Sequence, residues 1–90
     1  MTIPELVAAA DQTGHGTQLR AALTLAHQIG HRFTTGGHPL DGQAWTVAWL
    51  MVLAADTHDP TDRGLLESAA RILAGGLRQT IHTQGTTARN

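Results

Sequence analysis

Apolar residues recur along this chain at steps of three and four positions, and clusters of Gly, Pro and Asp interrupt the pattern. Such spacing is typical of amphipathic helices, whereas a half-buried strand alternates apolar and polar residues. No stretch shows that alternation, so we expect no sheet. The pattern predicts an all-α fold in which four helices form a compact bundle.

The first two predicted helices carry recognisable start and stop signals. Thr2 and the acid three positions after it resemble a capping box, which predicts a first helix over about Ile3 to Asp11. The segment Gly14 to Gly16 ends that helix. Thr17 is then a natural cap for a second helix that runs to about Arg32.

The next two helices are marked in the same way. Asp41 is predicted to cap a third helix that continues to about Asp56. Asp59 and Pro60 place a cap and a first-turn proline in the order that begins a fourth helix, which reaches about His82.

Chain length limits the number of domains. Ninety residues leave little room for a second hydrophobic core. We therefore predict one helical domain over residues 1–82, followed by a polar, frayed tail over residues 83–90.

Two of the predicted helices have one apolar side. Gly75 and Gly76 interrupt the fourth helix, which either bends there or receives a bulky neighbour, such as Trp45 or Trp49, against its bare backbone. On the second helix the apolar positions are Leu19, Ala22, Leu23, Ala26, Ile29 and Phe33. On the fourth they are Leu65, Leu66, Ala69, Ala70, Ile72, Leu73, Leu77 and Ile81.

The third helix is apolar on every side. Because such a helix must be buried all round, we expect it at the centre of the bundle. A chain this small covers a central helix poorly, so a second copy or another protein is expected to cover the remainder. The sequence thus favours a homodimer, the alternative being a monomer that hides both tryptophans. The predicted interface residues are Trp45, Trp49, Leu50, Val52 and Leu53.

The composition excludes several classes of function. The chain has no Cys, which excludes disulfides, thiol catalysis and Cys-ligated zinc. Its formal net charge of -1 gives no general attraction to nucleic acid or to an anionic membrane. The longest apolar run, Ala44 to Ala55, is too short to cross a bilayer as a helix. We expect a cytoplasmic protein whose partner is another protein chain.

Histidine is unusually frequent, with six residues. His27 and His31 stand one helical turn apart, a spacing at which two imidazoles can share a divalent metal. Asp56 and His58 supply further ligands if the fold brings them near. The alternatives are a solvated histidine pair and a pH-responsive contact without metal. The other histidines are assigned to loops or to the surface: His15, His38 and His82.

Two short motifs resemble those of helical enzymes. His58 followed by Asp59 is similar to the paired His-Asp centre of the HD phosphohydrolases, although no acid follows Glu67 to serve as the final metal ligand. Arg20 and His27 are similar in spacing to the Arg and His of the HEPN ribonucleases. That resemblance implies that Arg20 stabilises phosphate charge and that His27 transfers a proton.

No other catalytic set is complete. Serine occurs once, at Ser68, without an oxyanion-supplying loop, and no Lys or Cys offers another nucleophile. The sequence predicts a small non-catalytic binding or assembly module that acts through a hydrophobic interface and needs no cofactor. The alternative is a metal-binding protein, hydrolase or ribonuclease that uses His27, His31 and the Asp56 to Asp59 turn.

Overall fold

The computed structural model describes residues 1–34 and 39–88. These residues form four α-helices and no strand: α1 over Ile3–Gln12, α2 over Gly16–Thr34, α3 over Pro39–Asp56 and α4 over Pro60–Ala88. The predicted all-α four-helix bundle is therefore confirmed. His38 and the side chains of Phe33 and Ile81 lie outside the described residues.

The beginning of α1 follows the predicted cap. The Thr2 hydroxyl oxygen accepts a hydrogen bond from the Glu5 amide at 3.3 Å, and the hydroxyl donates to the Glu5 carboxylate at 3.1 Å. After Gln12 the chain turns at Gly14, whose φ of +82° lies in the left-handed region that glycine adopts without strain. The His15 amide donates to the Ala10 carbonyl at 2.9 Å, which closes the turn.

The later helices also begin close to their predicted positions. α3 begins at Pro39, ahead of the predicted cap Asp41, because proline is well suited to the first helical position. Asp59 caps α4 as predicted, since its Oδ1 accepts from the amides of Thr61 at 2.8 Å and Asp62 at 3.2 Å.

α4 extends to Ala88, beyond the end predicted at His82. Once packing has nucleated a helix, each added residue gains a backbone hydrogen bond at little extra entropic cost, so polar residues can prolong it. At Gly75 and Gly76, an added Cβ meets no described atom within 4 Å. Neither Trp45 nor Trp49 therefore packs against the backbone of these two glycines.

The core lies where the apolar sides of the four helices meet. α2 and α4 both pack on α3, and α1 packs on α2 and α4. The predicted apolar sides of α2 and α4 supply much of this core, as their spacing indicated. Its fully buried members are Leu6, Ala10, Leu19, Leu23, Ala26, Leu50, Ala54, Leu66, Ala69 and Ala70.

α2 and α3 lie close together at Gly30. A Cβ added there lies 2.5 Å from the Gly42 carbonyl oxygen and closer still to the Thr46 hydroxyl. Thr46 is the buried polar residue of this contact, and its hydroxyl donates to the Gly42 carbonyl at 2.9 Å. A bare backbone at position 30 thus allows the two helices to meet.

Candidate functional site

One side of α3 is both exposed and apolar. It faces away from α2 and α4, because the residues of α3 that pack against those helices lie on the other side. Its members recur at helical spacing, and none carries a charged side chain. We name this set the α3 face: Ala44, Trp45, Ala48, Met51, Val52 and Ala55.

Three large side chains give the α3 face most of its exposed area. Trp45 is 42% exposed, Met51 50% and Val52 54%. Single exposed apolar residues are ordinary on protein surfaces, but a contiguous apolar patch is typical of an interaction site. The α3 face is therefore the candidate functional site of this chain.

The residues predicted to form the interface divide between two sides of α3. Trp45 and Val52 lie on the α3 face, where both side chains are exposed. Leu50 is 0% exposed, so assigning it to the interface is a mistake: it fills the core of the single chain. Leu53 and Trp49 are half-buried against that core. An apolar helix offered no sequence signal to separate these two sides.

Trp49 carries a polar atom that the fold does not satisfy. Its indole Nε1 is buried and has no acceptor in the part of the chain that the structure describes. A buried donor without a partner costs roughly 1–3 kcal/mol. The ring nevertheless packs against the core, so the apolar area that it buries outweighs this cost.

A polar cluster joins the beginning of α2 to the beginning of α4. His15 Nδ1 lies 2.6 Å from Asp62 Oδ1, and both side chains are mostly buried. One ligand-type atom each of His15, Asp59 and Asp62 lies within 4.8 Å of the others. No sequence signal predicted this contact, because His15 and Asp62 are 47 positions apart, His15 is consistent with a loop, and Asp62 is consistent with a first-turn acid of α4.

The four residues predicted to hold a metal do not come together. His27 and His31 line a cavity of about 560 Å³ beside the beginning of α3, where Gly42 also lies. Asp56 is at the other end of α3, about 20 Å along the helix from Gly42 at 1.5 Å per residue. His58 lies two residues after Asp56, so the histidine pair and the turn lie at opposite ends of the bundle.

Two residues of the motifs that resemble those of helical enzymes make structural contacts. The Arg20 guanidinium donates to the Asp11 carboxylate and so joins α2 to α1. Asp59, the second residue of the His-Asp pair, accepts the two amide hydrogen bonds that begin α4. Arg20 therefore stabilises the pairing of α1 with α2, and Asp59 stabilises the beginning of α4.

Compared with known proteins, the chain matches no family model, no curated protein and no solved structure. Among residues 1–34 and 39–88, no helix combines the length and the apolar content that spanning a bilayer requires.

Proposed function

We propose that this protein is a small non-catalytic assembly module and that its α3 face binds a second copy of the same chain. The observation that carries this proposal is the exposure of a contiguous apolar surface over three turns of α3. Burial of apolar area is the main favourable term in protein association.

The exposed part of Trp45 alone gives a sizeable driving force. A tryptophan presents up to about 250 Å², so 42% exposure corresponds to about 100 Å². At about 25 cal/mol per Å², burying that area in a partner yields about 2.5 kcal/mol. Met51 and Val52, both at least half exposed, add to this term.

A second copy fits this surface for reasons of charge and symmetry. Because the α3 face carries no charged residue, two copies can meet without burying an ion. The net charge of -1 gives only weak repulsion between chains. A twofold dimer, in which one patch meets itself, is the commonest assembly of identical chains.

The size of the α3 face sets the expected affinity. A standard protein interface buries about 800 Å² of each partner, and a patch one helix wide buries less than that. Interfaces of that size hold weak or transient complexes, so we expect a dissociation constant in the micromolar range.

Light scattering over about 5 to 500 μM tests the proposal. We expect the mass to rise from 9.5 kDa towards twice that value as concentration increases. Ala48→Glu places a charge in the centre of the α3 face and should keep the chain monomeric. Ala8→Glu is the matched control, because Ala8 is an exposed helical alanine on α1, which does not pack on α3.

Two results would overturn the proposal. One is a constant mass of 9.5 kDa across the whole concentration range. The other is a wild-type dimer that Ala48→Glu and Ala8→Glu leave equally intact, because the interface would then lie elsewhere.

A further inference from the structure

Bulky and small residues alternate along the α3 face. The first level holds Trp45 beside Ala44, and one turn later comes Ala48 alone. The third level holds Met51 and Val52. The last level holds Ala55, with the exposed Asp56 at the edge of the face beside it, so the apolar side chains along the helix are in the order bulky, small, bulky, small.

This order distinguishes the two ways in which a copy can lie on the face. In a parallel pair each level meets itself, so Trp45 meets Trp45 and the alanine levels face each other across a gap. In an antiparallel pair the first level meets the fourth, and the second meets the third. Each bulky level then faces an alanine, which is the arrangement that lets side chains interdigitate.

We infer that the two copies of α3 pack antiparallel, with Trp45 against Ala55 of the partner subunit and Ala48 against Val52 of the partner subunit. This inference rests on the dimer proposed above. The twofold axis then crosses α3 near residue 50, midway between Ala48 and Val52. Antiparallel helix dipoles favour the same orientation.

The absence of native cysteine allows a direct test. Ala48→Cys and Val52→Cys are prepared as separate full-length proteins, mixed in equal amounts under reducing conditions and then oxidised. Both positions are exposed in the single chain, so neither substitution removes core packing. Mass spectrometry separates the products, because the two variants differ in mass.

The antiparallel arrangement predicts a large excess of the mixed disulfide, several-fold above either homodimer. Ala8→Cys, mixed with Ala48→Cys, is the control and should give no more than collisional cross-linking.

The possible failures are distinguishable. If each variant joins mainly to itself, the parallel arrangement holds, and the orientation is refuted while the dimer stands. If no pair exceeds the Ala8→Cys control and light scattering gives a monomer, the orientation and the proposed function both fail.

Discussion

At the scale of single residues, the contact between α2 and α3 at Gly30 depends on the absence of a side chain. Gly30 lies against the Gly42 carbonyl and the Thr46 hydroxyl, and the carbonyl cannot rotate away as the end of a flexible side chain can. The small residue thus sets the distance between α2 and α3 and, through it, the position of α3.

Gly30→Ala should lower the free energy of unfolding by about 1–3 kcal/mol, because the added methyl group forces the two helices apart. Gly64→Ala is the matched control: no described atom lies within 4 Å of its added Cβ. There we expect a gain of about 0.5–1 kcal/mol from helix propensity. Urea denaturation followed by circular dichroism measures both. Equal effects at the two positions would contradict the close approach at Gly30.

At the scale of helices, the contact between His15 and Asp62 connects two elements that do not follow each other in the chain. His15 precedes α2, and Asp62 lies in the first turn of α4. Because both side chains are mostly buried, water screens their interaction less than that of a surface pair. The Arg20 and Asp11 pair joins α1 to α2 but is about half exposed, so its contribution is smaller.

A double-mutant cycle with His15→Ala and Asp62→Ala should give a coupling energy of about 1 kcal/mol. The cycle cancels the separate effect of Asp62 on the α4 dipole, because that effect is the same with His15 present and with His15 replaced. The control is a second cycle that combines His15→Ala with Glu67→Ala, since the Glu67 carboxylate lies near Arg71 and not near His15. Guanidinium denaturation at one fixed pH supplies the four stabilities. A coupling no larger than in the control would mean that the contact contributes nothing.

At the scale of the whole molecule, the chain is elongated, with extents of 47 × 26 × 18 Å. α4 accounts for this shape, because its 29 residues span about 43 Å at 1.5 Å per residue. The shorter α1 packs on α2 and α4 and leaves the outer side of α3 uncovered. A small bundle of unequal helices therefore exposes apolar area that a second chain can bury.

If the folded state is the proposed dimer, the melting temperature must depend on protein concentration. A tenfold increase in protein concentration should add about 0.7 kcal/mol per chain to the free energy of unfolding, which is half of the free energy of a tenfold change in a binding constant. This gain should raise Tm by about 3 °C. Differential scanning calorimetry above the dissociation constant measures this shift. Ala48→Glu should abolish it and Ala8→Glu should retain it. A wild-type Tm that is independent of concentration would contradict a dimer coupled to folding.

Local sequence signals predicted much of the fold. Thr2 and Asp59 begin helices where expected, because a cap satisfies backbone amides within a few residues of itself. The apolar sides of α2 and α4 also became core, since a helix with one apolar side has only one way to bury it. These features depend on spacing within one helix, which can be read directly from the sequence.

Contacts between helices could not be predicted from the spacing of residues within one helix. An apolar helix such as α3 has no polar side to indicate its orientation, so packing against α2 and α4 alone buried Leu50 and left Val52 exposed. The contact of His15 with Asp62 and the separation of His27 from His58 likewise depend on which helix ends meet. The residue types supplied the chemistry, and the packing of the helices selected which side chains lie together, because burial and distance are properties of the assembled chain.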